Sequence, residues 1–246
     1  MRNQIVSHDE WLRARLELLA TEKELTRQRD TLTRRRMAMP WERVEKSYHF
    51  EAPSGTVSLA ELFEGRSQLI VYHFMFAPEW AEGCKSCSFW ADNFNGITVH
   101  LDDRDATLAA ISRAPLAKIE AYKKRMGWNF PWVSCDGNDF NFDYHVSFTP
   151  KEIAENKMYY NYEVQPRGVS DEQGISVFYK DESGDVFHTY SCYSRGIDFV
   201  NCAYQYLDLV PKGRDEDSFK FPMEWVRRHD QYLSTKQTQV SDSRNK

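Results

Sequence analysis

No apolar run in this 246-residue chain approaches the roughly 20 residues that a bilayer-spanning helix requires, so the sequence offers no candidate membrane span. The opening stretch "MRNQIVSHDEWLRARLELLA" places an acidic pair and an arginine where a secretory signal would need a continuous apolar core, and export is not expected. Cysteine is scarce too. Five residues, an odd number, do not make the disulfide framework of a small secreted protein. Nor is there an excess of positive charge. A net charge of -5 supplies no global field for nucleic acid or an anionic membrane surface, and neither is expected as a partner. Internal repeats are also absent. What remains is a cytoplasmic protein whose 41% hydrophobic fraction suffices for one substantial core with appended segments.

The segments alternate. Ser7 opens a capping box with Glu10, and Leu12, Leu16 and Leu19 follow on one helical face, so a helix is expected from about Ser7 to about Arg36. Its charged second half reads as a solvated face or a homodimer contact, and Pro40 ends it. Val44, Tyr48 and Phe50, a turn at Pro53 to Gly55, and Val57 predict a β-hairpin. A second capping box, Ser58 with Glu61, predicts a short helix over "LAELFEG". "SQLIVYHFMF" has the composition of a strand buried on both faces. A helix over "SFWADNFNGITVHL", kinked or ended early at Gly96, a strand "ATLAAIS", a helix between Pro115 and Gly127 and a strand "NFPWVSC" follow. Residues 136–173 lack periodicity and read as an inserted excursion. "GISVFYK" and "DVFHTYS" form an antiparallel hairpin, and "RGIDFVNCAYQYLDLV" closes as a helix with Phe199, Ala203 and Tyr206 on a shared face. The polar end, "STKQTQVSDSRNK", is expected to be disordered. This order implies an α/β fold, a mixed sheet with helices on both faces.

The chemistry concentrates in "GCKSCSFW". Cys84 falls at the expected start of a helix directly after a buried strand, where unpaired N–H groups and the positive end of the helix dipole favour a thiolate. Cys87 lies one turn deeper on the same face and can resolve a mixed disulfide formed at Cys84. A zinc site would need two more ligands. No second close pair exists, and Cys135, Cys192, Cys202 and His188 are scattered, so neither a metal nor another cofactor is expected. Cys202 reads as a small core residue. His188 and Arg195 leave the last hairpin where a cation could stabilise the Cys84 thiolate, with a hydrogen-bonded strand position and a helix cap as their plainer roles. His73 reads as a satisfied core residue. Trp80 and Trp90 flank the pair as an apolar lip or as packing.

The stretches "PWERVEKSYHF", "GRSQLIVYHFMFAPEW", "GCKSCSFWADNFNG", "SRAPLAKIEAYKKRMGW" and "FHTYSCYSRG" resemble the bacterial family known as domain of unknown function 899, thioredoxin-like proteins labelled predicted dithiol-disulfide oxidoreductases. The resemblance implies a thioredoxin-like three-layer sandwich with a peroxiredoxin-like N-terminal hairpin. The domains would be a helical extension at 1–40, the thioredoxin-like domain at 41–212 with its insertion at about 136–173, and a C-terminal extension at 213–246. It also implies Cys84 as nucleophile and Cys87 as resolving thiol. The substrate would be a disulfide-containing protein or a small thiol or disulfide, with an electron donor still to be identified. Two features depart from thioredoxins: Gly83 stands where a Trp usually precedes the first cysteine, and "QGISVF" lacks the proline that usually precedes the strand facing the pair. A peroxiredoxin-type site would want Pro and Thr or Ser seven and three residues before the cysteine. Ala77 and Ala81 stand there, which makes peroxide chemistry the second expectation, and a non-catalytic redox-sensing or interaction module that dimerises through the N-terminal helix the third.

Overall fold

The computed structural model describes residues 3–232 and divides the chain into two compact units, one through Trp41 and one from Glu42 onward. The expected disorder of "STKQTQVSDSRNK" lies outside the described residues. The first unit is the helix α1 (His8–Met37), and none of its residues is buried. Ser7 caps it: its hydroxyl accepts from the Glu10 N–H while the Glu10 carboxylate accepts from the Ser7 N–H at 3.0 Å.

The second unit is built on one eight-stranded sheet. In chain order its strands and helices are β1 (Glu42–Arg43), β2 (His49–Ala52), β3 (Gly55–Ser58), β4 (Gln68–His73), α2 (Lys85–Ala91), α3 (Thr98–Asp103), β5 (Ala106–Ser112), α4 (Leu116–Arg125), β6 (Trp132–Ser134), α5 (Phe140–Asp143), α6 (Pro150–Glu155), β7 (Met158–Tyr160), β8 (Glu163–Gln165), β9 (Gly174–Lys180), β10 (Val186–Tyr193) and α7 (Cys202–Leu207). The sheet order is β1-β10-β9-β4-β5-β6-β2-β3, and β7 and β8 form a separate hairpin. β4, β5 and β6 run parallel, while β9 is antiparallel to β4 and β10 antiparallel to β9. A parallel strand–helix–strand unit followed by an antiparallel hairpin on the other side of the first strand is the thioredoxin-like arrangement, and the fold is of that class.

Alternation along β4 separates two cores. Leu69 and Val71 face a cluster with Phe50, Phe63, Ile111 and Phe178, whereas Tyr72 faces one with Phe74, Cys87, Trp90, Tyr122 and Trp132. α2, α4 and α7 supply Trp90, Ile119 and Tyr204 to the second cluster, so the pair-bearing helix lies on the aromatic-rich face. All seven residues of β5 are buried, the pattern of a strand covered on both faces.

Several elements differ from expectation. Ser58 and Glu61 make their reciprocal bonds, but only a 3-10 turn, Glu61–Phe63, follows, because Glu64 and Gly65 both take positive φ. The helix after the pair breaks after Ala91 and resumes as α3 at Thr98. The closing helix also breaks: a 3-10 segment, Ser194–Val200, ends at Asn201, whose side chain caps α7 by accepting from the Tyr204 N–H at 3.0 Å. That restart changes the phase. Ile197 and Tyr204 are buried, while Phe199 and Tyr206, expected on the packed face, are exposed, as is Cys202. Within 136–173 the excursion has its own structure, α5, α6 and the β7–β8 hairpin. Asp171, near its end, is buried and receives a two-pronged bond from Arg113, at 2.7 and 2.8 Å, just beyond β5.

Candidate active site

Three buried residues after β4, Phe74 with Phe76 and Ala77, anchor the loop that carries the cysteines. The Cys84 N–H returns to the Met75 carbonyl at 3.1 Å, which sets the loop against the strand end. Cys84 is the N-cap of α2, with its own carbonyl accepting from the Ser88 N–H at 3.0 Å and the Ser88 hydroxyl at 2.8 Å. Cys84 is partly exposed and Cys87 fully buried. The two thiols therefore differ in reach although they share one helical face.

They differ in charge as well. The Cys87 thiol, acting as donor, is the strongest influence on Cys84; with the N–H groups of Cys87 and Ser86 and the Ser86 hydroxyl it outweighs burial and brings the Cys84 thiol down to about 7. No side-chain cap bond of standard geometry is made, so these N–H groups act on the sulfur at longer range. Burial, and next the bond to Cys84 and its charge, push Cys87 well up, so that it keeps its proton. The Met75 N–H donates to the Cys87 sulfur at 3.4 Å.

Gln173 completes the pair's surroundings. It immediately precedes β9, and its side-chain carbonyl accepts from the Cys87 thiol at 3.8 Å and from the Tyr72 hydroxyl at 3.1 Å. Its backbone carbonyl accepts from the Tyr160 hydroxyl at 2.7 Å, and that hydroxyl accepts from the Ser194 N–H at 2.8 Å. Where thioredoxins carry a proline, this chain therefore has an amide acceptor aimed at the buried thiol. Sequence reading singled out the missing proline but not its replacement.

Gly83 has a steric reason. A Cβ there would meet Phe74 at 2.8 Å and Tyr122 at 2.9 Å, so no Trp, or any other side chain, fits before Cys84 without displacing both rings. The Tyr122 hydroxyl lies 2.9 Å from the Ser88 hydroxyl and accepts from Arg228 at 2.8 Å. Arg228 also donates to the Gly83 carbonyl at 2.7 Å and pairs with Glu82 at 2.9 Å. Nothing in the local sequence around Arg228 marks this role.

The other singled-out residues fall into place around this centre. Trp90 is buried, with its indole N–H donating to the Ile197 carbonyl at 3.1 Å, and Trp80 packs partly buried against the same aromatic cluster. Arg195 is exposed and lies 3.4 Å from Asp198. His188 is not brought to the pair. It packs against Tyr144 and Phe178 on the opposite face of the sheet, with Nε2 at 2.7 Å from the Ser191 hydroxyl. His73 is buried and bonded at both ring nitrogens, to Asn141 at 3.0 Å and Ser176 at 2.9 Å. Cys135 is buried on the His73 side of the sheet, its thiol pushed up to about 12 by that burial, whereas Cys192 joins the aromatic cluster that holds Cys87. Among the described residues, no three His, Cys, Asp or Glu side chains cluster as metal ligands would.

A thioredoxin-like fold with a close cysteine pair at the head of the helix after its central strand defines the class. Within it, the chain belongs to the family described as "Bacterial protein of unknown function (DUF899)", whose match spans residues 1–232. No curated protein matches it. Among solved structures it is similar to peroxiredoxin Q from Xanthomonas campestris, at 12% identity over 69% of this chain and 97% of that one, with a TM-score of 0.45. Similar too are peroxidoxin BcpB from Mycobacterium tuberculosis (12% identity, 68% and 97% covered, TM-score 0.41) and the mitochondrial 2-cys peroxiredoxin from Plasmodium falciparum (12% identity, 68% and 93%, TM-score 0.41).

Proposed function

We propose that this protein is a thiol–disulfide oxidoreductase. The observation that carries the reading is the asymmetry of the pair: a partly exposed Cys84 whose thiolate is favoured, and a buried, protonated thiol at Cys87 three residues on. The Cys84 thiolate attacks one sulfur of a substrate disulfide, forming a mixed disulfide and releasing the other sulfur as thiolate. Cys87 then gives its proton to the thiolate just released and attacks the Cys84 sulfur, expelling the second substrate thiolate. The substrate gains two electrons and the pair becomes an intramolecular disulfide. Gln173, bonded to the Cys87 thiol, keeps that group oriented until the mixed disulfide forms. A cellular thiol reductant must return the electrons.

The test is a pair of variants measured with the pre-reduced protein and an excess of disulfide. Cys84→Ser abolishes exchange, and Cys87→Ser accumulates a stable mixed disulfide detectable by mass. Exchange that survives in Cys84→Ser ends the proposal. Peroxide reduction is the weaker reading, since Ala81 offers no hydroxyl to orient a peroxide three residues before Cys84. Fast second-order consumption of hydrogen peroxide would reverse that order.

A further inference from the structure

Residues 213–232 hold few regular elements, yet they are tied to both neighbours of Cys84. Arg228 donates to the Gly83 carbonyl at 2.7 Å, and the Lys85 ammonium donates to the Glu224 carbonyl at 2.8 Å. Trp225 meets Phe89 of α2 edge-on at 5.5 Å, and Val226 is fully buried. Beyond them Asp230 takes a two-pronged bond from Arg125, at 2.7 and 3.2 Å, and His229 lies 2.6 Å from Asp92. The strap therefore covers α2 along its length. On its other edge it walls a cleft of about 730 Å³, lined on the strap side by Glu216, Pro222 and Met223 and on the far side by Trp90, Gln173 and Arg195. That volume suits a small molecule. Gln173, the residue bonded to Cys87, is among its lining residues, whereas neither cysteine is.

We infer that the strap sets the substrate class: tied to both neighbours of Cys84, it excludes folded protein disulfides from that sulfur and admits low-molecular-weight ones. The inference rests on the proposed exchange reaction.

The experiment compares single-turnover rates of the pre-reduced full chain with oxidised glutathione and with insulin. Glutathione is expected to react several-fold faster. Asp230→Asn and, separately, Arg228→Gln loosen the strap from outside the cleft, and each is expected to raise the ratio of insulin to glutathione rates several-fold. A ratio cancels any general loss of folded protein, which slows both substrates alike. Insulin reacting as fast as glutathione, or a ratio unmoved in both variants, overturns the inference. Inertness of the unaltered chain to both disulfides would instead remove the exchange reaction beneath it.

A second observation stands apart, on α1. Trp11, Leu18, Leu25 and Leu32 repeat every seven residues and are each more than half exposed, an apolar seam along the helix. The first half of the helix carries four acids against two arginines, the second half six bases against two acids. We propose that the occupant is a second copy of α1 packed antiparallel, which sets Leu18 against Leu25, Trp11 against Leu32, and the acidic half against the basic half. The mass of the full chain by light scattering is expected to be that of a dimer. Leu18→Glu with Leu25→Glu should give a monomer with unchanged circular dichroism outside the helical band. A monomer in the unaltered chain, or a dimer in the double variant, overturns it.

Discussion

The sheet carries a buried polar chain on each face, and the two chains end in different charge states, an anion on one and a neutral group on the other. On the α2 face Cys84 keeps one side open, and its neighbours are donors, the Cys87 thiol first, so the anion is favoured and the thiol comes down to about 7. On the other face His73 is sealed. Burial lowers it to about 4 against the opposing bond to Asn141, and Ser176, Ser191 and His188 continue the chain outward at 2.9, 2.8 and 2.7 Å. Burial disfavours charge on both faces. What separates them is the donor set: a thiolate is rewarded by N–H, O–H and S–H groups, whereas a histidine cation bonded to neutral partners gains too little to offset its desolvation.

The largest expected effect tests the reactive face. With Cys84 intact, exchange should rise as pH passes about 7 and level off above it, because the thiolate is the attacking form. A rate that climbs instead toward the ordinary thiol range, near pH 8.5, would mean that the donors around Cys84 do nothing. The same shift predicts a stability trend. Between about 7 and the unfolded thiol value the folded state holds fewer protons than the unfolded one, so the reduced protein gains stability with rising pH there and loses that gain as pH falls through about 7. Urea midpoints of the reduced chain, compared with Cys84→Ser, show whether the slope belongs to this sulfur.

The sealed face predicts the next effect. His73 stays neutral when folded down to about 4 but protonates near 6.5 when unfolded, so the unfolded state binds more protons across that window. Lowering pH from 7 to 4 should cost about 3 kcal/mol through this residue. His73→Gln keeps a hydrogen-bonding side chain without the titration and should flatten that part of the curve. An equally steep loss in the variant would assign it to other groups.

A smaller effect sharpens the packing side of the contrast. Gly83→Ala places a methyl against Phe74 and Tyr122, and overpacking of this kind typically costs about 1–3 kcal/mol. Because Tyr122 also holds Arg228, the variant should loosen the strap as well, visible as faster protease cleavage within 213–232. Unchanged stability and cleavage would show that both rings yield freely.

The contrast was only partly legible in the chain. Cys84 and Cys87 are three residues apart and follow a continuous apolar strand, so the role proposed for them rests on local signals, as do β5, the β9–β10 hairpin and the Ser7 capping box. Gln173 meets Cys87 across 86 positions and Arg228 meets Gly83 across 145, and neither has a local pattern that marks it. The break at Asn201 was readable in principle, since Asn is a favoured N-cap, but apolar residues at helical spacing run through it and mask the break. His188 misled for a related reason. Its nearness to the hairpin exit is a sequence fact, while the face it occupies depends on the bulge between His188 and Tyr190, which shifts the register of β10.

That register shift supports the smallest expected effect. Up to His188 the partners on β9 are Lys180, Tyr179 and Phe178; past the bulge Tyr190 pairs with Val177, and Tyr190 and Cys192 pack with the aromatic cluster of the α2 face. His188 thus sits with Phe178 and Tyr144, separated from Cys84 by the whole thickness of the sheet, and its Nδ1 looks outward to Glu42 at 3.6 Å. His188→Ala should leave the exchange rate and its pH midpoint unchanged within error, while loosening the bond to Ser191 and lowering stability modestly, by about 1 kcal/mol. A shifted midpoint in this variant would show that the buried chain His188–Ser191–Ser176–His73 transmits charge through the sheet to the thiols, and the two faces would then have to be treated as one electrostatic unit.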